Sequence, residues 1–353
     1  MTRFMSEKYK SLVPYVPGEQ PRVQGRLIKL NTNENPYPPS PRAQQAAADA
    51  AKTLRLYSDT THKALREALA KTYGVEPDNI MCANSSDESL DYAFLTFCDK
   101  DRPAVFPDIT YGFYPVYCDL YGIPFTEIPL REDFTVNTED YTGIGKNIFI
   151  ANPNAPTGIA LKRDEIERIV KSNPDNIVVI DEAYVDFGAE SCVPLIKKYD
   201  NLIITMTYSK SRSMAGARLG FSIADKALIA DMNTVRFSRS PYNLNSMTLA
   251  AGIGALEDEA YFEECRHKIM ATRERMKAEL EKRGFTCLPS CTNFVFAGSD
   301  AIGGKELYLK LKEAGIFVRH FDKERLKEYN RITVGTDEQV DELLKAIDRI
   351  LSE

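Results

Sequence analysis

The sequence predicts an α/β protein whose larger part is a mostly parallel, doubly wound sheet and whose smaller part is a compact α+β unit. Three observations support this prediction. Short apolar runs alternate with segments of helical periodicity. Several of these runs are apolar throughout, which is typical of strands buried on both faces of a parallel sheet. After a long amphipathic segment the pattern changes, and strands and helices follow in a different order.

The larger part contains six candidate strands with helices between them. The strands are Asn79–Ala83, Ala104–Phe106, Asn147–Ala151, Asn176–Ile180, Leu202–Met206 and Arg218–Ile223. The helices include Ser86–Phe97, Lys162–Ser172 and Val193–Tyr199. Repeated strand, helix, strand units favour right-handed crossovers, and they therefore predict a doubly wound sheet.

The smaller part follows a long amphipathic helix, expected over Glu257–Arg283 and ending before Gly284, a residue suited to the position after a helix. The elements after it are predicted as strand Asn293–Ala297, helix Lys305–Ala314, strand Ile316–His320, strand Asn330–Val334 and helix Asp337–Leu351. We expect a large domain over residues 31–260 and a small domain over residues 261–353. The first forty residues are rich in proline and asparagine, which is typical of irregular structure, and we expect residues 1–30 to form an arm that packs near the small domain.

Composition argues against several classes of function. Of the 353 residues, 43% are hydrophobic and 27% are charged, as in ordinary globular proteins, and the net charge is −6. No basic block indicates a nucleic acid or an anionic membrane as partner. No apolar run reaches the roughly 18 residues of a membrane span, and the N-terminus has no signal-peptide pattern, so we expect a cytoplasmic protein. The scattered cysteines and histidines form no CxxC or HExxH motif, so neither a disulfide framework nor a metal site is expected.

Polar side chains follow three successive strands at their carboxyl ends, where open α/β sheets bind ligands. The segments are Asn152–Gly158, Asp181–Tyr184 and Thr207–Lys210, and Arg218 follows shortly after. One edge of the sheet is therefore expected to contain an acid, a phenol, an amine and a guanidinium. An isolated acid there is commonly a helix cap, and a lone lysine is commonly a solvated charge. It is the combination in this order that predicts a site.

These residue types are the ones that pyridoxal 5'-phosphate requires. An amine forms an imine with its aldehyde, and a carboxylate keeps its pyridine nitrogen protonated so that the ring accepts electrons. A hydrogen-bond donor binds the ring hydroxyl, while cations and backbone N–H groups bind the phosphate. The sequence therefore predicts a pyridoxal-phosphate enzyme that uses Lys210 as the amine.

The chain resembles the fold-type I aminotransferases over nearly its whole length, and within them it is most similar to the histidinol-phosphate branch. The matching pieces are Pro14-Tyr15, Pro17-Gly18, Asn33-Glu34-Asn35-Pro36, Tyr57-Ser58-Asp59, Ser86-Asp87-Glu88, Thr110-Tyr111-Gly112, Pro156-Thr157-Gly158, Asp181–Tyr184, Ser209-Lys210 with Arg218, and Asn330-Arg331-Ile332. The resemblance implies amino transfer between histidinol phosphate and 2-oxoglutarate (or glutamate) in histidine biosynthesis. It also implies pyridoxal 5'-phosphate as cofactor and a homodimer as the active form.

Catalytic and cofactor-binding roles carry over at the matching positions. Lys210 resembles the Schiff-base lysine, which also shuttles a proton, and Asp181 resembles the partner of the pyridine nitrogen. Tyr184 resembles the donor to the ring hydroxyl, and Tyr111 resembles the aromatic residue that stacks on the ring. The phosphate-binding positions match Ser209, Arg218 and the backbone N–H groups of Ser86 and Asp87, at the start of a helix whose dipole favours anions.

Substrate-binding positions of the family match Tyr15, Asn33, Arg319 and Arg331. Tyr57 corresponds to a tyrosine that reaches the cofactor phosphate of the neighbouring subunit, and this is the residue from which the homodimer is inferred.

Three positions depart from the pattern of the family. The residue before the Pro-Thr-Gly turn is usually an asparagine that bonds the cofactor's ring oxygen; here it is Ala155, and the adjacent Asn154 is the candidate replacement. The residue before the phosphate-binding serine is usually glycine; here it is Ser85, which is tolerable if its φ is negative. Arg212 adds a charge after the lysine, and we expect a solvated or inter-subunit position for it.

Other functions stay open. Threonine-phosphate decarboxylation, a lyase reaction on a related scaffold, also needs phosphate-binding arginines. Aromatic amino-acid transamination is another alternative. A cofactor-sensing regulator requires an additional DNA-binding domain and basic charge, whereas here the motifs begin near Asn33 and the net charge is −6. We therefore rank the regulator last.

Overall fold

The computed structural model describes residues 2–20 and 27–352, so residues 1 and 21–26 of the predicted arm and residue 353 of the predicted small domain lie outside the described residues. The strands are β1 (Ile28–Lys29), β2 (Ile80–Asn84), β3 (Ala104–Pro107), β4 (Phe125–Ile128), β5 (Asn147–Ala151), β6 (Val178–Asp181), β7 (Leu202–Thr207), β8 (Leu219–Ala224), β9 (Phe285–Cys287), β10 (Phe294–Ser299), β11 (Ile316–Phe317), β12 (Arg319–His320) and β13 (Tyr329–Thr333). The α-helices are α1 (Pro41–Ala51), α2 (Lys63–Tyr73), α3 (Ser85–Phe97), α4 (Tyr114–Tyr121), α5 (Arg163–Ser172), α6 (Lys226–Arg239), α7 (Ser246–Glu257), α8 (Glu259–Lys282), α9 (Gly304–Glu313) and α10 (Asp337–Leu351).

A seven-stranded sheet forms the centre of the molecule, in the order β2-β8-β7-β6-β5-β3-β4. Its strands are parallel except for β8, which runs antiparallel to both of its neighbours. Every residue of β5, β6, β7 and β8 is buried. The predicted α/β class with a mostly parallel sheet is therefore confirmed.

The two faces of this sheet contribute to different hydrophobic cores, because successive side chains of a strand point to opposite faces. In β7, Ile203 belongs to the cluster that contains Phe94 of α3. Its neighbour Ile204 belongs to the cluster that contains Ile169 of α5. Helices therefore cover both faces, which explains why these strands are apolar throughout.

A second, antiparallel sheet follows in the order β12-β13-β10-β9. Helix α8 packs against β9 and β10, and α10 packs against α8 and α9. The chain before the large sheet also reaches this region, because β1 pairs in parallel with β11. Helix α10 begins with a capping box in which the Thr336 side chain accepts from the Gln339 N–H and the Gln339 side chain accepts from the Thr336 N–H.

The predicted long helix Glu257–Arg283 is observed as α8, Glu259–Lys282. Two other predicted elements differ from those observed. The segment Val193–Lys197 is a 3-10 helix rather than an α-helix, because the Lys198 N–H bonds to the Leu195 carbonyl three residues before it. The predicted strand Ile316–His320 is divided, because β11 pairs with β1 whereas β12 pairs with β13.

Two features are absent from the part of the chain that the structure describes. No helix there is long and apolar enough to cross a membrane. No group of three or more histidine, cysteine, aspartate or glutamate side chains there is arranged to bind a metal ion.

Candidate active site

Two adjoining cavities lie where β5, β6 and β7 end, and they share Lys210 and Tyr184. The first has a volume of about 370 Å³, and we call it the acidic cavity because Glu34, Asp87 and Asp181 line it. The second has a volume of about 340 Å³. We call it the basic cavity because Arg319, Lys323 and Arg331 line it, whereas no carboxylate of the described chain does. The predicted residues in the acidic cavity are Ser86, Asp87, Tyr111, Asp181, Tyr184, Ser209, Lys210 and Arg218. Those in the basic cavity include Tyr15, Asn33, Arg319 and Arg331.

Lys210 follows β7 and lies at the junction of the two cavities. Its Nζ donates to the Thr32 carbonyl at 3.3 Å and lies 5.7 Å from the centre of the Tyr184 ring. The Asn35 side chain donates to the Lys210 and Ser211 carbonyls at 3.0 and 3.2 Å. These contacts fix the backbone of the lysine and leave its amine facing the shared space.

Asp181 is the last residue of β6 and is buried. Its carboxylate accepts hydrogen bonds from the Thr205 hydroxyl at 3.2 Å, the Ala183 N–H at 3.3 Å and the Tyr114 hydroxyl at 3.5 Å. None of these donors is charged. Burial raises the pKa of Asp181 from 3.8 to about 7, and the hydrogen bond from Thr205 opposes this rise. A buried carboxylate with only neutral donors is suited to a cationic ligand, whose charge would favour the ionised form.

Tyr184 connects the end of the central sheet to the second sheet. Its hydroxyl oxygen accepts from the Asn33 side-chain amide at 2.8 Å, which leaves the phenolic proton available for a ligand. Asn33 in turn accepts from the Thr333 hydroxyl at 3.0 Å. The Tyr184 ring packs edge-on against Phe294, with ring centres 5.3 Å apart.

A polar cluster forms at the first turn of α3. The Asp87 carboxylate accepts from the Tyr111 hydroxyl at 2.6 Å and from the Arg218 guanidinium at 2.8 Å. Burial, followed by the Asp87 charge, raises the pKa of the Tyr111 phenol. Ser209 lies beside this cluster, and its hydroxyl oxygen accepts from the Thr207 hydroxyl at 3.0 Å. The arrangement places a guanidinium, a serine hydroxyl and a helix N-terminus around one part of the acidic cavity.

The condition of a negative φ at Ser85 is not met, because its φ is +75°. Strand β2 ends at Asn84 and α3 begins at Ser85, so the chain reverses without any connecting residue. Strand β8 also passes close by: a Cβ added to Gly220 would lie 2.3 Å from both Ser85 C and Ser86 N. A glycine at position 220 is therefore required by the turn that forms this end of the cavity.

The structure does not bring Asn154 into either cavity. Its side-chain amide donates to the Ile109 carbonyl at 2.9 Å and to the Thr157 hydroxyl at 3.2 Å. Ala155 lines both cavities instead. Because the Asn154 amide is already bonded within the protein, the proposed replacement of the missing asparagine finds no geometric support.

Arg319 and Arg331 lie directly opposite each other on the antiparallel strands β12 and β13. Arg331 donates to the Asn31 carbonyl at 3.1 Å, and burial, together with the neighbouring Arg319 charge, lowers its pKa. The two guanidinium carbons lie 5.4 and 5.7 Å from the centre of the Phe321 ring. Neither arginine forms an ion pair with a carboxylate of the described chain. Tyr15 lies at the edge of the same cavity, its ring centre 5.0 Å from that of Phe113.

Two further predicted positions lie outside both cavities. Tyr57 is 84% exposed, and its ring centre lies 4.5 Å from that of Tyr242. The expectation for Arg212 is wrong, since its side chain is buried. Its guanidinium donates to the Ala255 carbonyl at 2.8 Å and lies 4.1 Å from the centre of the Phe262 ring, so it joins α7 and α8 to the segment after the lysine.

Comparison with known proteins decides the family. The family described as aminotransferase class I and II matches residues 26–347 of this chain. The chain belongs to this family.

Relatives of this aminotransferase extend over its full length. It is 50% identical to histidinol-phosphate aminotransferase 1 of Bordetella parapertussis, over 100% of both chains. It is 47% identical to histidinol-phosphate aminotransferase 1 of Bradyrhizobium diazoefficiens, over 99% of this chain and 100% of that protein. It superposes with a TM-score of 0.91 on the crystal structure of histidinol-phosphate aminotransferase from Sinorhizobium meliloti in complex with pyridoxal-5'-phosphate, at 25% identity over 100% of this chain and 98% of that one. The predicted fold type is therefore confirmed.

Sequence reasoning missed several residues of the aminotransferase site. Thr205 pairs with Asp181 across β6 and β7, and its hydroxyl contacts the carboxylate. A polar residue inside the apolar run Leu202–Met206 was an available signal for it. Tyr114 gave no such signal, because an aromatic residue at the start of a helix is equally typical of packing. Thr32 acts through its carbonyl, which every residue type has.

Proposed function

We propose that this aminotransferase binds pyridoxal 5'-phosphate in the acidic cavity and transfers the amino group of histidinol phosphate to 2-oxoglutarate in histidine biosynthesis. The observation that carries the substrate assignment is the pair of opposed arginines in the basic cavity, which have no carboxylate partner in the described chain. Relatives with 47–50% identity over the full length are named histidinol-phosphate aminotransferase, which supports the same assignment.

The residues of the acidic cavity fit this cofactor. When bound, pyridoxal phosphate supplies an aldehyde that captures amino groups and an aromatic ring that accepts electrons. Lys210 offers the amine for covalent attachment, and Asp181, buried with only neutral donors, would keep a proton on the ring nitrogen. Tyr184 would donate its phenolic proton to the ring hydroxyl. Arg218, Ser209 and the first turn of α3 would bind the phosphate.

The chain's own residues then provide proton transfer and orientation. Lys210 Nζ would carry a proton between the Cα of the amino donor and the C4′ carbon of the bound cofactor, in opposite directions in the two half-reactions. The Thr32 carbonyl and the Asn35 side chain keep the lysine in place between the two cavities. Tyr111 lines both cavities, with its hydroxyl bonded to Asp87, and offers a ring face for stacking.

The basic cavity would bind the anionic end of each substrate in turn. Histidinol phosphate has no carboxylate, so its phosphate must provide the anchoring charge, whereas glutamate brings a carboxylate to the same place. Arginine suits both, because its planar guanidinium pairs bidentately with either group. Arg319 and Arg331 come from adjacent strands, and Tyr15 would cover them from the N-terminal arm.

Incubation of the purified protein with pyridoxal phosphate, 2-oxoglutarate and candidate donors tests this proposal. We expect glutamate to form from histidinol phosphate far faster than from unphosphorylated histidinol or from aromatic amino acids. If either of the latter reacts as well as the phosphate ester, the substrate assignment is wrong although the family remains. Release of CO₂ from threonine phosphate would instead identify a lyase.

We also propose a cytoplasmic homodimer in which Tyr57 completes the site of the neighbouring subunit. The high exposure of Tyr57 and its position outside both cavities of its own chain support this role. Within each chain we propose an arm over residues 1–30, a large cofactor-binding domain over residues 31–260 and a small domain over residues 261–353. The pairing of β1 with β11 supports contact between the arm and the small domain.

A further inference from the structure

The basic cavity is lined by a fourth cation besides its two arginines and the shared lysine. Lys323 lines it from the turn between β12 and β13, and its side chain is exposed. Its Nζ donates to the Asp108 backbone carbonyl at 3.3 Å. A neutral carbonyl fixes the position of the ammonium without cancelling its charge.

The side chain of Asp108, the residue whose carbonyl Lys323 contacts, is already in use. The Asp108 carboxylate accepts from the Leu130 N–H at 2.9 Å and pairs with Arg325 at 3.5 Å. Lys323 itself forms no ion pair with a carboxylate of the described chain. The positive charge at the rim of the basic cavity is therefore left for a ligand.

Some residues that line the same cavity also have polar atoms without partners. The Thr110 hydroxyl, the Arg331 Nε and the Asn31 side-chain oxygen are buried and have no hydrogen-bond partner in the described chain. Two of these three atoms can donate to an anion. Buried polar groups are normally satisfied, so the residues that line this cavity have unused hydrogen-bonding capacity.

We propose that Lys323 is the specificity-determining residue that makes the basic cavity prefer a doubly charged phosphate ester to a carboxylate. The proposal rests on the proposed function, because it assumes that both anions use this cavity. Coulomb energy is proportional to the charge of the ligand. A phosphate monoester carries about two negative charges at pH 8, since its second pKa is about 6. One exposed cation should therefore contribute about twice the binding energy to a phosphate that it contributes to a carboxylate. The fold-change in affinity for the phosphate should be roughly the square of the fold-change for the carboxylate.

Replacement of Lys323 by glutamine in the cofactor-loaded dimer tests this inference. For an exposed charge we expect kcat/KM to fall about three-fold for glutamate and about nine-fold for histidinol phosphate at low ionic strength. In 1 M NaCl, where the Debye length is about 3 Å, the wild type and the variant should become nearly equal. K323R should retain the wild-type preference. K327Q is the matched control, because Lys327 lies in the same turn but pairs with Glu324, and it should leave both substrates unaffected.

Inhibition by inorganic phosphate and by acetate provides a measurement that does not depend on the natural donor. K323Q should weaken phosphate inhibition more than acetate inhibition, whichever amino donor the enzyme uses. Equal losses for both anions, or no loss for either, would overturn the role of Lys323. A wild-type enzyme that prefers unphosphorylated donors but shows the expected change in phosphate inhibition would overturn the proposed substrate and leave the role of Lys323 intact.

Discussion

Replacement of Asp181 by asparagine should stabilise the cofactor-free protein. The same replacement should remove most of the activity of the cofactor-loaded enzyme. Burial raises the pKa of Asp181 from 3.8 to about 7. The folded-state pKa of Asp181 lies above its unfolded-state value. The free energy of unfolding is therefore unaffected by this group below about pH 4, where the carboxyl is protonated in both states, and it falls as the pH rises to about 7. At about 1.36 kcal/mol per pH unit, the charged aspartate costs up to about 4 kcal/mol at pH 8. Asparagine keeps an oxygen for Thr205 and can donate its amide to the Tyr114 hydroxyl, so it avoids that cost.

Urea unfolding of the cofactor-free wild type and D181N at pH 5 and pH 8 measures this effect. The advantage of the variant in free energy of unfolding should grow by about 2–3 kcal/mol between the two pH values. E182Q is the matched control: burial also raises the pKa of Glu182 to about 7, but Glu182 bonds to Ser191 and Cys192 and lines neither cavity.

Loading with pyridoxal phosphate then separates the two variants. The pH-dependent gain of D181N in free energy of unfolding over the wild type should disappear, because a cationic ring nitrogen stabilises the charged aspartate of the wild type. The gain of E182Q should remain. D181N should also turn over several orders of magnitude more slowly, because an amide cannot stabilise the protonated ring. A gain for D181N that is the same at both pH values, or that survives loading, would refute the reasoning.

Four further changes test the remaining assignments. Borohydride should fix pyridoxal phosphate to Lys210, and K210A should lose the visible absorption of the bound cofactor; a reduced adduct on another lysine would exclude this assignment. Mixing K210A with Y57F should regain activity through one unimpaired site per heterodimer, and confirmed subunit exchange without regained activity would show that Tyr57 acts within its own chain. R331A should lose about ten- to hundred-fold in kcat/KM for both half-reactions, whereas an arginine with only a surface role would change little. G220A should lower the free energy of unfolding by about 1–3 kcal/mol or more, because its Cβ would lie 2.3 Å from backbone atoms of Ser85 and Ser86; unchanged urea unfolding would contradict this contact.

Sequence reasoning succeeded where one physical rule determines the position. The carboxyl ends of neighbouring parallel strands meet at one edge of a sheet, so the residues after β6 and β7 had to lie close together. Asp181, Tyr184 and Lys210 consequently line one cavity. Strand β5 and helix α10 occur at their predicted bounds, because apolar periodicity and end signals agree there.

Positions that depend on distant parts of the chain could not be read in this way. The φ of Ser85 follows from the immediate succession of β2 and α3 and from the close approach of Gly220, which is far away in sequence. Arg212 looked like a surface charge, yet carbonyl and aromatic partners on α7 and α8 allow it to be buried. Asn154 was predicted to bind the cofactor, but its side-chain amide donates to the carbonyl of Ile109, a residue distant in sequence.

The charges of the two cavities support the proposed orientation of a substrate between them. In the acidic cavity, Glu34 pairs with Lys29 and Asp87 pairs with Arg218, whereas Asp181 pairs with no cation of the described chain. A cationic ring nitrogen is therefore stabilised most at Asp181. The basic cavity has no such carboxylate, so the anionic end of a donor gains most there. Since Lys210 lies at the junction of the two cavities, a donor placed with its anion in the basic cavity would bring its amino group to the lysine.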